Sequence, residues 1–321
     1  MEATTTQRGV FFVLVGPAGT GKNYVMQAVI PRMPELRQLP TATTRPMREG
    51  EAQGREHEFV SHEEFAGMIH NGELIEYQPV HGNLYGIPRR SLERVFNQRL
   101  LEIADVEYKG ADIAHTLYGG QVVRVFVSPP SVSKLVERLL QRRTPYPEIA
   151  RRMLRTPEEL LYANRCEYVI FNGDDSDSPD LLQAVVTAER QDQRANIPRA
   201  EPPRAALGAL VDVRCGRYTL RPAGHPAILP ALPFTPPEWP HRAARRALAP
   251  LLDAGLPEGN WTFAHFEADE FVAPDRLDVT PDGGLERILY RYTYNVPHTR
   301  VEPPGWAWTY ALRPSDGYGA G

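Results

Sequence analysis

A glycine-rich loop between an apolar run and a helix-forming segment constrains this chain more than any other feature. Residues 16–22 read GPAGTGK, which has the GxxxxGK spacing, and they directly follow the apolar run VFFVLV at 10–15. In such a loop, glycines let backbone N–H groups surround phosphate oxygens, the helix N-terminus adds positive potential and the lysine reaches the terminal phosphates. The loop therefore predicts a nucleotide-binding α/β domain and argues against a chance glycine-rich turn.

The loop also predicts which residues contact ATP. These are Gly16, Ala18, Gly19, Thr20, Gly21, Lys22 and Asn23. Asn23 departs from the usual pattern, in which a Ser or Thr hydroxyl binds Mg²⁺ at this position. An amide oxygen can coordinate a hard cation, but the side chain is bulkier than a hydroxyl. We therefore expect Asn23 to bind Mg²⁺ weakly or through water.

Composition narrows the class of partner. The chain has 321 residues, of which 42% are apolar, and its formal net charge of −4 does not indicate nucleic acid or an anionic membrane as a partner. No apolar run approaches the ~18–20 residues that cross a bilayer. Two cysteines without a CxxC pair favour free thiols in a reducing cytoplasm. We expect a cytoplasmic protein whose partners are small molecules.

The chain divides into three parts. Residues 1–190 alternate short apolar runs with helical patterns, which is typical of an α/β domain, and Ser61 and Glu64 have the spacing of a capping box that opens one of its helices. Residues 191–206 contain three prolines and no apolar periodicity, which predicts a linker. Residues 207–321 are dominated by strand patterns and predict a β-rich α+β domain.

Several further motifs follow the loop in a fixed order. They read TATTRPMREGEAQG at 41–54, HEF at 57–59, EYQPVHGNLYG at 76–86, ADVEYKG at 104–110 and VIFN at 169–172. Together with the loop, they closely resemble the guanylate kinase family from about Val10 to Arg190. The resemblance implies a P-loop NTPase-type parallel sheet with helices on both faces, and small NMP-binding and lid subdomains. It also implies transfer of the ATP γ-phosphoryl group to GMP or dGMP.

The resemblance implies an acceptor site with a phosphate end and a base end. Its members are Thr41, Arg45, Arg48, His57, Glu76, Tyr85, Ile87 and Glu107. Two guanidinium forks and a phenol suit the dianionic phosphate of a nucleoside monophosphate. Glu76 and Thr41 match the positions that read guanine, because a carboxylate accepts two N–H bonds from its Watson–Crick edge and adenine cannot offer that pair.

On the donor side, the resemblance implies a metal site and a closing lid. Asp105 and Glu107 resemble the acidic pair that holds Mg²⁺ and its waters, so we expect Asn23 and Asp105 to bind the metal. The expected catalytic residues are Lys22, Arg45, Arg48 and three lid arginines, Arg138, Arg142 and Arg152. Asn172 lies in the loop that the family places beside adenine, and Arg142 is also expected on the ATP side.

Three departures from the family pattern keep the acceptor open. His57 replaces a tyrosine on the acceptor phosphate, Ile87 stands where a Ser or Thr helps to recognise guanine, and Asn23 alters the metal site. A modified nucleotide or a ribosyl phosphate is therefore an alternative acceptor. A binding module without catalysis is a second alternative, although scaffold modules of that kind typically lose the phosphate loop, which is intact here.

The C-terminal part resembles no family that we can name. His265, Glu267 and Asp269 alternate on one predicted strand, but no matching ligand cluster follows, so solvated charge is the favoured interpretation over a metal site. Tyr290 and two further tyrosines at alternate positions, 292 and 294, predict a packed sheet face. The working hypothesis is a regulatory domain or one that forms a homo-oligomer.

Overall fold

The computed structural model describes residues 8–80, 82–215, 218–222, 232–261, 274–297, 301–304 and 306–310. The chain forms two compact units: the first contains residues 1–135 and 158–203, and the second contains residues 136–157 and 204–321. The second unit is therefore discontinuous in sequence, because it includes a short segment from the middle of the kinase-like region. No helix among the described residues is long and apolar enough to cross a membrane.

The first unit is built on a sheet of five parallel strands. These are β1 (Val10–Val15), β2 (Leu36–Gln38), β7 (Leu101–Asp105), β8 (Val122–Ser128) and β9 (Tyr168–Phe171), in the spatial order β2-β7-β1-β8-β9. All six residues of β1 are buried, as expected for a parallel strand that is covered on both faces. This sheet confirms the predicted fold class.

Helices flank the sheet and connect its strands. Four of them lie wholly in this unit: α1 (Lys22–Val29), α3 (Arg89–Asn97), α4 (Tyr108–Tyr118) and α8 (Ser178–Arg190). Two more, α5 (Val132–Gln141) and α7 (Thr156–Leu161), contain the positions at which the chain passes from one unit to the other. Short 3-10 helices cover Ile30–Arg32, Gly119–Gln121 and Tyr162–Arg165. Val25, Met26, Leu182 and Val185 from α1 and α8 join the strand residues in one apolar core.

A second, small sheet belongs to the same unit. Its strands are β3 (Thr41–Thr43), β4 (His57–Phe59), β5 (Leu74–Val80) and β6 (Asn83–Pro88), in the order β4-β3-β6-β5. Helix α2 (His62–His70) packs Phe65 and Met68 against it. The capping box is confirmed, because Ser61 Oγ accepts from the Glu64 N–H at 3.1 Å and the Glu64 carboxylate accepts from the Ser61 N–H at 2.7 Å.

The second unit contains a mixed sheet of seven strands. They are β10 (Arg204–Cys215), β11 (Tyr218–Pro222), β12 (Leu232–Phe234), β13 (Asn260–Trp261), β14 (Arg276–Asp282), β15 (Leu285–Asn295) and β16 (Trp306–Tyr310). Parallel pairing of β10 with β15 runs from Arg204–Leu285 to Arg214–Asn295 and forms its centre. Helices α6 (Tyr146–Met153) and α9 (Pro240–Asp253) lie wholly in this unit, and α5 belongs to it from residue 136 onward.

Several C-terminal predictions can be compared with this sheet. The tyrosines at 290, 292 and 294 are buried, which confirms the packed face. Residues 191–203 contain no helix or strand, and β10 begins at Arg204, inside the segment that we predicted as linker. His265, Glu267 and Asp269 lie outside the described residues, so the interpretation of their charges stays a prediction.

Candidate active site

The phosphate loop joins the end of β1 to the start of α1, as the GxxxxGK spacing predicts. Lys22 is the first residue of α1, and its Nζ donates to the carbonyl oxygens of Gly16 at 2.6 Å and Pro17 at 3.3 Å. The same Nζ lies 3.6 Å from Asp105 Oδ1, at the end of the neighbouring strand β7. The loop therefore holds a positive charge at the carboxyl edge of the sheet, where parallel α/β proteins bind ligands.

Asn172 stabilises the phosphate loop through a hydrogen bond to its backbone. Its side chain is buried, its Nδ2 donates to the Thr20 carbonyl at 2.6 Å, and its Oδ1 accepts from Ser178 Oγ at 2.7 Å. Gly21 has a φ of 92°, and a Cβ at that position would lie 2.3 Å from Asn172 Nδ2. The predicted contact of Asn172 with ATP stays a prediction, whereas its support of the loop is directly visible.

The side chains predicted to bind Mg²⁺ are accessible. Asn23 is exposed on the first turn of α1, and Asp105 is 44% exposed at the end of β7. Across the part of the chain that the structure describes, no group of three or more His, Cys, Asp or Glu residues could hold a metal ion. This donor set fits Mg²⁺, which commonly takes one or two protein oxygens and completes its shell with phosphate oxygens and water.

At the phosphate end of the acceptor site, Arg45 is nearly buried and held on three sides. Its Nε donates to the Tyr85 hydroxyl at 3.2 Å, its Nη1 to the Pro46 carbonyl at 2.7 Å and its Nη2 to Glu51 Oε1 at 2.8 Å. The structure thus brings Arg45 and Tyr85 together, as predicted from the motifs. The side chain of Arg48 is exposed in the same loop.

Glu51 organises this end of the site, and the sequence analysis did not include it among the site residues. While Oε1 binds Arg45, Oε2 accepts from the backbone N–H of Arg48 at 2.8 Å. Burial alone would raise the pKa of Glu51, but the hydrogen bonds from Arg45 and Arg48 outweigh it and hold that pKa below its usual value. The signal that could have identified this residue is its place as the glutamate of the TTRxxRxxE motif.

Thr41 and His57 face each other across β3 and β4. The Thr41 hydroxyl lies 2.8 Å from His57 Nδ1, and the His57 ring packs edge-on against Tyr85 with the ring centroids 5.9 Å apart. Burial, and then the positive charge of Arg45, lower the pKa of His57. His57 is therefore mainly neutral near pH 7, and it stands beside the phosphate-end residues as its place in the motif predicts.

At the base end, Glu76 presents a carboxylate in a nearly dry environment. Only 8% of the residue is exposed, and its Oε2 has no hydrogen-bond partner among the described residues. Burial and the negative charge of Glu107 raise the pKa of Glu76 to about 7. Ile87 is its cross-strand neighbour and is buried, so it adds an apolar wall where the family has a hydroxyl.

Gly110 completes this end and was also missing from the predicted site. A Cβ at residue 110, on α4, would lie 2.7 Å from Glu76 Cδ and 2.8 Å from each of its carboxylate oxygens. The absence of a side chain therefore lets α4 approach the carboxylate. The sequence signal was the glycine of the ADVEYKG motif, whose role depends on a contact between two distant segments.

The three predicted lid arginines belong to the second unit. Arg138 lies on α5, Arg142 directly follows this helix, and Arg152 lies on α6. Within α6, Arg152 Nε donates to Glu148 Oε1 at 3.0 Å. Their contact with the transferring phosphoryl group stays a prediction.

Comparison with known proteins identifies the family of residues 8–189. The family model for guanylate kinase matches residues 8–189. The chain is 36% identical over 185 residues to a guanylate kinase of Bradyrhizobium diazoefficiens, which covers 57% of this chain and 84% of that protein. It is 38% identical over 184 residues to one from Symbiobacterium thermophilum, which covers 57% of this chain and 87% of that protein.

Among solved structures, a guanylate kinase from Anaplasma phagocytophilum is 29% identical, with a TM-score of 0.46, and covers 57% of this chain and 87% of that one. The C-terminal region has no family match. Residues 8–189 exceed half of the chain. The chain therefore belongs to the guanylate kinase family, a family of phosphotransferases.

Proposed function

We propose that this enzyme transfers the γ-phosphoryl group of ATP to the α-phosphate of GMP or dGMP. The observation that favours guanine is the burial of the Glu76 carboxylate, one oxygen of which has no hydrogen-bond partner among the described residues. Guanine offers two adjacent N–H donors to such a group, and adenine offers no such pair. The relatives that this chain resembles are guanylate kinases, which supports the same acceptor.

The proposed reaction is an in-line displacement. An oxygen of the GMP α-phosphate forms a bond to the γ-phosphorus of ATP, the bond from that phosphorus to the β-phosphate oxygen breaks, and ADP leaves. The acceptor needs no side-chain base, because the second pKa of a phosphate monoester is ~6 and the group is largely ionised at neutral pH. Catalysis then rests on positioning and charge neutralisation.

Each part of the site has a role in this proposal. Lys22 would neutralise the terminal phosphates of ATP, and Arg45 with Tyr85 would bind the acceptor phosphate. Arg138, Arg142 and Arg152 would carry positive charge to the transferring group when the lid closes, which also excludes water. Asn23 and Asp105 would hold Mg²⁺, which would supply positive charge to neutralise the charge that develops on the phosphates.

A second candidate function is nucleotide binding without efficient transfer, which the exposed Asn23 at the metal position favours. A change of acceptor is the other candidate, because Ile87 removes one polar contact. The loss of one such contact lowers discrimination by about 1–3 kcal/mol when its partner stays unpaired. The proposed partners are small nucleotides, and assembly through the C-terminal domain stays a prediction that light scattering can test.

The deciding experiment follows ADP release with ATP, Mg²⁺ and a panel of ribo- and deoxyribonucleoside monophosphates, using the wild type and Lys22→Ala in parallel. The proposal expects turnover with GMP or dGMP and its loss in Lys22→Ala. Turnover with another monophosphate only would move the acceptor and keep the class of reaction. Binding of ATP and GMP without turnover would favour the binding module.

A further inference from the structure

The C-terminal sheet contacts a helix from the middle of the kinase sequence. Tyr290 on β15 is fully buried, and its hydroxyl donates to the Ala150 carbonyl on α6 at 2.8 Å. Ala150 is one of the last four residues of α6, whose carbonyls have no hydrogen-bond partner within an α-helix. The tyrosine hydroxyl therefore satisfies a buried acceptor that the helix itself leaves open.

The first residue of the same helix lies near β14. Tyr146 is the first residue of α6, and its hydroxyl oxygen is buried. Burial, and then the charges of Asp278 and Asp275 at β14, raise the pKa of Tyr146 to about 12. Helix α6 therefore begins near β14, and the hydrogen bond from Tyr290 joins its last turn to β15.

The apolar face of α6 explains why this support is needed. The helix has only eight residues, and isolated helices shorter than ~12–15 residues are marginal in water. Ile149, Ala150 and Met153 are nevertheless fully buried. Helix α6 and the C-terminal sheet belong to one compact unit, and the hydrogen bond from Tyr290 to Ala150 links them directly.

We propose that Tyr290 is a positioning residue for phosphoryl transfer and acts through Arg152. Arg152 lies two residues after Ala150 on α6, so the hydroxyl fixes the turn from which the guanidinium projects. The C-terminal sheet and the lid segment 136–157 then act as a single body. This inference rests on the proposed function, in which Arg152 contacts the group in transfer.

The test compares two tyrosine-to-phenylalanine variants on the same strand. Tyr290→Phe removes only the hydroxyl that binds Ala150. Tyr294→Phe is the matched control, because its hydroxyl accepts a hydrogen bond from the Gly259 N–H at 2.6 Å, at a place in the sheet that does not involve α6. Both changes delete one oxygen from a buried tyrosine of β15.

The expected result is a change in kcat without a change in acceptor binding. Tyr290→Phe should lower kcat about tenfold and leave the KM for GMP within about twofold, since an interaction used only in the transition state affects kcat. Tyr294→Phe should leave both constants within about twofold. Equal kinetics of the two variants would overturn the inference.

A double-mutant cycle separates positioning from general destabilisation. If Tyr290 acts through Arg152, then Tyr290→Phe should slow the Arg152→Ala enzyme by less than about twofold. If the double variant is slowed by the product of the two single effects, Tyr290 acts independently of Arg152 and the inference is refuted.

A third measurement does not depend on activity. Amide hydrogen exchange at residues 146–155 should become faster in Tyr290→Phe and stay unchanged in Tyr294→Phe, and unchanged exchange in both would also refute the inference. Absence of turnover in the wild type would instead contradict the proposed function. The exchange result would then still decide whether Tyr290 holds α6.

Discussion

The Glu76 carboxylate lies so close to the Cα of Gly110 that a Cβ there would come within 2.7 Å of Glu76 Cδ. Residues 76 and 110, which are 34 positions apart in the sequence, thereby form one wall of the base end. A side chain at position 110 would have to displace the Glu76 carboxylate. This contact makes residue 110 a sensitive probe of the proposed guanine site.

Gly110→Ala should raise the KM for GMP by about tenfold or more, because the new methyl group displaces the carboxylate. Gly67→Ala is the matched control: Gly67 also lies inside a helix, α2, but a Cβ there would meet nothing within 4 Å. The control should be about 0.5–1 kcal/mol more stable and unchanged in kinetics. Steady-state kinetics and thermal unfolding of both variants test this, and equal KM values would contradict the assigned role of Glu76.

The raised pKa of Glu76 predicts a pH dependence of stability. The carboxyl titrates near 7 in the folded state and at 4.5 in the reference state, so the folded protein binds more protons between these values. The free energy of unfolding should therefore fall as the pH rises from 4.5 through 7, by up to about 3 kcal/mol from this group. Denaturant unfolding of wild type and Glu76→Gln at several pH values measures it, and parallel curves would refute the assignment.

The ionisation of Glu76 should also affect how the rate of catalysis depends on pH. If guanine binds the ionised carboxylate as proposed, kcat/KM for GMP should rise with pH through an apparent pKa near 7, in addition to the pKa of ~6 of the phosphate itself. The profile of kcat should be flatter, since bound guanine donors favour ionisation. A kcat/KM profile that follows only the phosphate would indicate that Glu76 is already ionised in the free enzyme.

Glu51 should hold the loop that contains Arg45 and Arg48 in the conformation that binds GMP. Glu51→Gln weakens its bonds to Arg45 and to the backbone of Arg48, so the KM for GMP should rise about tenfold. Glu49→Gln removes the same charge from an exposed position of the same loop and serves as the control. If the two variants have the same KM, the effect comes from loop charge and not from the bonds of Glu51.

Asn23 should limit the affinity for magnesium. Asn23→Thr restores the usual hydroxyl, and we expect the Mg²⁺ concentration for half-maximal rate to fall about three- to tenfold. Titration of activity with Mg²⁺ at fixed ATP measures this change. An unchanged or higher requirement would mean that Asn23 contributes as much as a hydroxyl does.

The sequence predicts the central sheet well and the small sheet poorly, for a physical reason. Strand β1 is a continuous apolar run and β8 is apolar except for Arg124 and Ser128, so their burial in a parallel sheet is encoded locally. Strands β3 and β4 have three residues each; β3 pairs with β4 and β6, and α2 packs against this sheet. No local periodicity extends over so few residues.

The site residues also divide into those that the sequence predicts and those whose roles depend on the fold. Lys22 and Arg45 could be predicted as site residues because each lies in a short motif whose residues are close together in the sequence. The bracing role of Asn172 and the contact of Gly110 with Glu76 depend on segments that meet only in the fold. The bond between Tyr290 and Ala150 has no sequence signal, because a buried tyrosine in a strand predicts packing and not its partner.

The separation of Tyr290 and Ala150 by 140 residues has a consequence during synthesis. A ribosome that adds ~5–20 residues per second needs roughly 7–28 s to travel from the codon of Ala150 to that of Tyr290. During this interval the nascent chain completes residues 158–203 of the first unit, while α6 still lacks the strand that caps its last turn. The growing polypeptide should therefore acquire its nucleotide-binding core before its lid is fixed, and the synthesis of β15 would decide when catalysis begins.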